Sequence, residues 1–218
     1  MGRNSATRSA DWYFDFISPY AYFQFHRFAE LPADLRVACK PVLFAGLLNH
    51  WGHKGPAEIP AKRLHTYRYC KWHADRQGLP FTMPPAHPFN PLPPLRLAIV
   101  CGASREAVGT IFDAIWGEGL DLWAGEGWAQ LCRRLGLDPD EATQRIAAPA
   151  VKDALRANTD EALARGVFGV PTFAIDDELF WGDDATGMFL DYLAAPERFR
   201  SGEMARLAAL PIGQARKL

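Results

Sequence analysis

Asp11-Trp12-Tyr13-Phe14-Asp15-Phe16-Ile17 runs directly into Ser18-Pro19-Tyr20, and this junction decides the fold. The aromatic run over 11–17 reads as a largely buried strand, because large rings at nearly every position leave no solvent face. Ser18 is a natural N-cap. Pro19 suits the first helical position, where a backbone N–H is not needed, and 20–31 continues without a breaker until Pro32. Strand, cap and helix therefore follow one another within a few residues.

On the C-terminal side, Leu35, Val37 and Cys39 alternate with Arg36, Ala38 and Lys40, which predicts a second strand over 35–42. Strand, helix and strand in that order imply a right-handed crossover and a parallel pair. Residues 60–148 show helical spacing broken by Met83-Pro84-Pro85 and Pro88-Phe89-Asn90-Pro91, with little strand character. From Val151 a helix runs through Leu155 and Leu163 to Gly166, which suits a left-handed C-terminal position. Two strands, 172–175 and 178–181, then flank Asp176-Asp177 as a hairpin turn, and Gly182 leads to a closing helix near 188–193. This is the order of an α/β thioredoxin-like domain, 10–50 and 150–200, carrying an inserted all-helical domain over 51–149. Residues 1–9 read as a disordered leader and 201–218 as a C-terminal tail.

Composition narrows the function. With 218 residues, 49% of them hydrophobic and 22% charged, the chain has room for one large domain or a domain with an insertion. A formal net charge of −1 offers no clustered positive charge for nucleic acid or an anionic membrane, and no apolar run approaches the ~20 residues of a membrane span. The expected partner is a small molecule. Cys39, Cys70, Cys101 and Cys132 form no C-x-x-C pair, which suits reduced, buried thiols in a cytoplasmic protein. Their even spacing accompanies no repeat. The ending Arg216-Lys217-Leu218 departs from the peroxisomal Ser-Lys-Leu address at its first residue.

Three places can carry chemistry. Ser18 lies where a parallel strand hands over to a helix, the end of an open sheet at which ligands bind, and the helix start favours an anion such as a thiolate. On local sequence alone a helix cap is its commoner role. In Gly169-Val170-Pro171-Thr172 a proline opens a strand; trans is the default for such a bond, while a cis bond would turn the backbone N–H and C=O of Val170 toward an extended peptide-like ligand. Asp183 and Asp184, after Gly182, can accept a ligand's ammonium or act as first-turn acids, the latter being commoner. His50 and His53 can share a helical face but have no third partner that would make a metal signature. There is no Gly-x-Ser-x-Gly elbow and no Walker loop.

Phe14-Asp15-Phe16-Ile17-Ser18-Pro19-Tyr20-Ala21-Tyr22 and Gly166-Val167-Phe168-Gly169-Val170-Pro171-Thr172-Phe173 together resemble the 2-hydroxychromene-2-carboxylate isomerase family, to which kappa-class glutathione transferases are related. The likeness extends to Pro60-Ala61-Lys62, His87-Pro88-Phe89-Asn90-Pro91-Leu92 and Glu178-Leu179-Phe180-Trp181-Gly182-Asp183-Asp184, so it spans about 11–193. The resemblance implies a DsbA-like thioredoxin fold of the kappa glutathione transferase type, a homodimer, and glutathione as cofactor. It makes Ser18 the catalytic residue against the glutathione sulfur, with Pro19 and Tyr20 beside it. Val170, before a cis Pro171, would pair with the cysteinyl backbone, Asp183 and Asp184 would meet the γ-glutamyl end, and His53 stands where the family usually has asparagine. Phe89 and Asn90 would supply an apolar wall and a polar handle for substrate.

Two departures from the family pattern bear on the substrate: Ala185 replaces an arginine, and His53 replaces the asparagine. The activity implied is glutathione-dependent isomerisation of an unsaturated aromatic-catabolism intermediate by reversible thiolate addition, bond rotation and elimination. Conjugation or peroxide reduction by the same thiolate, and glutathione binding without turnover, are the alternatives. Ser18-Pro19-Tyr20-Ala21 has neither sulfur of a dithiol oxidoreductase.

Overall fold

The computed structural model describes residues 8–214. In chain order it contains β1 (Ser9–Phe14), α1 (Pro19–His26), β2 (Arg36–Pro41), α2 (Phe44–Trp51), α3 (Pro60–Gln77), α4 (Leu92–Val100) and α5 (Arg105–Phe112). α6 (Gly127–Arg134), α7 (Pro139–Ala147) and α8 (Pro149–Ala164) follow, then β3 (Thr172–Ile175), β4 (Glu178–Trp181), α9 (Thr186–Ala194) and α10 (Gly202–Leu207). The strands form one mixed sheet in the order β2-β1-β3-β4. β1 and β2 are parallel, as the crossover requires, while β3 is antiparallel to both β1 and β4.

The aromatic strand is buried on both faces, and its alternation assigns each face a core. Trp12 and Phe14 point into the larger core, their rings stacked at 4.6 Å, together with Phe112 of α5 and Phe189 of α9. Tyr13 points to the other face, among Leu47 of α2, Ala162 of α8 and Val170. Burying the Trp12 indole requires a partner for its N–H. The amide oxygen of Gln24 on α1 accepts that hydrogen at 2.7 Å, and the Gln24 nitrogen donates to Gly182 O at 2.7 Å and Thr186 Oγ1 at 3.1 Å. One buried amide thus ties β1, α1 and the start of α9 together.

Several boundaries differ from the expectations. The first strand ends at Phe14 instead of residue 17, because Asp15 Oδ1 accepts the N–H of Ile17 at 3.0 Å and bends the chain. Phe16 is buried, but from this turn. The strand begins at Ser9, inside the stretch expected as a leader; residues 1–7 of that stretch lie outside the described residues. The first helix stops at His26 and a 3-10 turn covers Arg27–Glu30. α2 stops at Trp51 with Gly52 at φ 65°, so His50 and His53 do not share a helical face. The expected tail contains α10, and Arg216-Lys217-Leu218 lie outside the described residues. The hairpin turn at Asp176-Asp177 forms as read, with Ile175 opposite Glu178. Cys70 and Cys132 are buried as expected, whereas Cys39 and Cys101 are only partly so.

Candidate active site

The turn after β1 places Ser18 at the N-cap of α1. Its hydroxyl oxygen accepts the N–H of Ala21 at 3.3 Å, so the capping role is real. Among the described residues the hydroxyl hydrogen has only the Val170 carbonyl, at a long 3.5 Å. Pro19 brings no N–H, and Ala21 and Tyr22 donate to Ser18 O, which leaves Tyr20 as the first-turn residue whose N–H has no acceptor among the described residues. Opposite stands Val170. Its bond to Pro171 is cis, correcting the trans default, and its N–H likewise has no acceptor among the described residues. Its carbonyl faces Ser18 instead of standing free for a ligand.

A cavity of about 740 Å³ opens over this pair, large enough for a tripeptide-sized ligand. Ser18, Pro19, Tyr20, His53, Phe89 and Val170 all line it. Apolar area comes from Phe44 and Leu48 of α2 and from Pro88 and Phe89 in the segment between α3 and α4. On the sheet side, the Trp181 indole lies across Gly169; a Cβ there would stand 2.4 Å from its Nε1, so only glycine leaves the space. Phe168 packs edge-on to the same indole, with ring centres 5.2 Å apart.

Four expected site residues lie elsewhere. Asn90 precedes α4, its amide oxygen accepting the N–H of Leu92 at 3.1 Å, and it is not among the residues lining the cavity. Pro171 shapes the loop, and its carbonyl accepts the N–H of Gly182 at 2.9 Å. Asp183 is 5% exposed and is used internally: its Oδ2 bonds His73 Nε2 at 3.0 Å and its carbonyl accepts from Arg27 at 2.9 Å. Burial raises its carboxyl pKa, opposed by His73 and Arg27. Asp184 is exposed and does not line the cavity.

The protein's own thiols are poor nucleophiles. Burial pushes Cys70, which neighbours the Tyr20 phenol, up to about 12, Cys39 to about 12 and Cys132 to about 11, and raises Cys101 as well. Tyr20 is itself held protonated by burial. None of the four cysteines is among the residues lining the cavity at Ser18.

Two cavity residues escaped the sequence reading. Asp15 is fully buried; its Oδ1 holds Ile17 N–H and its Oδ2 holds Phe44 N–H at 2.9 Å, which staples the Ser18 turn to the start of α2. An aspartate two residues before a backbone N–H it accepts is an Asx-turn signal, hidden here by the apolar run around it. His87 carries no such signal, because its partners Ile17 and Tyr67 are distant in sequence.

The profile of the DSBA-like thioredoxin domain matches residues 10–194. Glutathione S-transferase kappa 2 of Caenorhabditis elegans is 28% identical over 206 residues, covering 85% of this chain and 91% of the relative. 2-Hydroxychromene-2-carboxylate isomerase of Sphingobium xenophagum is 28% identical over 195 residues, covering 86% and 98%. A solved 2-hydroxychromene-2-carboxylate isomerase superposes with a TM-score of 0.75 at 26% identity, over 91% of this chain and 98% of that one. With the profile spanning strand, cap, helical segment and closing helix, the chain belongs to the DSBA-like thioredoxin domain family.

Proposed function

We propose that the protein is a glutathione-dependent isomerase acting on 2-hydroxychromene-2-carboxylate or a similar unsaturated intermediate of aromatic catabolism. The observation that carries this reading is the pairing of Ser18 with the unpaired N–H groups of Tyr20 and Val170 at one cavity. Those groups fit a thiol peptide: Val170 N–H can pair with an extended backbone, while Ser18 and Tyr20 can donate to an anionic sulfur. Glutathione held by Ser18, Tyr20 N–H and Val170 N–H would supply a thiol nucleophile for reversible addition to the unsaturated substrate, an isomerisation with no net oxidation. Ser18 and the α1 terminus favour the charged sulfur. The apolar walls at Phe44, Leu48 and Phe89 hold the ring system and exclude water.

The test is turnover of 2-hydroxychromene-2-carboxylate followed by its ultraviolet spectrum. Conversion that depends on added glutathione supports the reading. Conversion of no chromene, with conjugation of a halogenated dinitrobenzene, replaces it by the transferase reading that the kappa relatives support.

Phe89 offers a sharper check. It packs on Trp123 with ring centres 4.4 Å apart and faces the cavity. Phe89→Ala should raise KM about tenfold, as expected when an apolar contact of ~1.5 kcal/mol is lost. Steady-state kinetics well below the variant's melting temperature measure this, and an unchanged KM assigns Phe89 to the core alone.

A further inference from the structure

Two consecutive carbonyls in the turn leading to Ser18 are each held by a ring from the helical segment between β2 and β3. Trp116 Nε1, from a π-helical turn over Asp113–Gly117, donates to Phe16 O at 2.8 Å. His87 Nε2 lies 2.9 Å from Ile17 O. A carbonyl can only accept, so the imidazole carries its hydrogen on Nε2. Its Nδ1 is then an acceptor and lies 2.9 Å from the Tyr67 hydroxyl, whose one hydrogen has both that nitrogen and the His87 carbonyl, at 2.7 Å, within reach. Tyr67 thereby fixes the ring's orientation.

The Ile17–Ser18 peptide is consequently held at both ends. Its C=O meets His87, and its N–H donates to Asp15 O at 3.0 Å. This plane sets the direction from which α1 starts, hence where Ser18 Oγ and Tyr20 N–H point. If the plane rotated, a carbonyl oxygen would turn toward the site. An oxygen lone pair near sulfur opposes a thiolate, whereas a donor favours it.

We propose that His87 is a positioning residue for the Ser18 site: its imidazole, braced by Tyr67, locks the Ile17–Ser18 peptide so that the donors of the α1 start, and not the Ile17 carbonyl oxygen, face the sulfur of a bound thiol. This inference rests on the glutathione reading. It assigns His87 no contact with the reacting atoms, and glutathione alone suffices to test it.

The experiment titrates wild-type protein, His87→Leu, His87→Gln and Tyr67→Phe with glutathione, following thiolate absorbance against pH and thermal melting in parallel. His87→Leu should raise the bound thiol's pKa by about 1. His87→Gln keeps an N–H at similar reach and should stay within about 0.3 of wild type, a rescue that a packing role would not produce. Tyr67→Phe should give a smaller rise in the same direction. A wild-type pKa in His87→Leu, or a shift in His87→Gln as large as in His87→Leu, overturns the inference. Should His87→Leu fail to fold, Tyr67→Phe decides, and an unmoved thiol there overturns it. Wild-type protein that takes up no glutathione overturns the inference and the proposed function together; a depressed wild-type thiol pKa that His87→Leu leaves in place overturns the inference alone.

Discussion

Ser18→Ala is expected to raise the pKa of the bound glutathione thiol by about 1 to 2. A hydrogen bond to a charged group contributes ~1.5–3 kcal/mol, and each pKa unit corresponds to ~1.36 kcal/mol. The α1 terminus and Tyr20 N–H remain in the variant, so part of the depression below the ordinary thiol value of ~8.5 should persist; the helix end contributes only ~0.3–1 kcal/mol. The same change deletes the cap on Ala21 N–H, which costs about 1 kcal/mol of stability. Thiolate absorbance against pH and urea unfolding separate the two effects. Lower stability with an unmoved thiol reduces Ser18 to a helix cap and removes the central support for the isomerase. A raised thiol pKa with nearly unchanged glutathione affinity at low pH would show that the hydroxyl acts on the anion specifically.

The strand–cap–helix junction was legible because each step has a local cause: rings for the strand, Ser18 for the cap, Pro19 for the first turn. The hairpin at Asp176-Asp177 was legible for the same reason. What escaped was decided at long range. Asp183 looks in sequence like a carboxylate placed for a ligand, yet it is buried with its Oδ2 on His73, 110 residues away, while Arg27, 156 residues away, bonds its backbone carbonyl. Asn90 sits in a motif but turns the chain into the helix that follows, its amide oxygen on Leu92 N–H. Phe16 extends the apolar run beyond the true end of β1, since its burial comes from the helical segment packing over a turn, with Trp116 donating to its carbonyl. Periodicity reports that a side chain is buried; it does not report which element buries it.

Asp15→Asn is expected to change how stability depends on pH. Burial raises the Asp15 carboxyl to about 7, against the bonds from Ile17 and Phe44 N–H that favour its charged form. An unfolded aspartate titrates near ~3.9, so the folded state holds a proton that the unfolded state releases. The stabilisation from this group is complete below pH ~4 and is lost as pH rises through the folded value of about 7. Asparagine cannot ionise, and its single acceptor oxygen can serve one of the two N–H groups, a penalty of ~1–3 kcal/mol that is the same at every pH. Between pH ~5 and ~8 the variant should therefore gain roughly 2.5 kcal/mol relative to wild type, as ~1.36 kcal/mol per pH unit accumulates until Asp15 is ionised. Urea unfolding of both proteins at the two pH values measures this difference, with every other carboxylate cancelling between them. Parallel profiles would mean that Asp15 stays charged across the range, with its two N–H bonds outweighing burial. A converging pair means that the staple between the Ser18 turn and α2 is neutral in mildly acidic solution, and that a negative charge enters the cavity only as the pH passes neutrality.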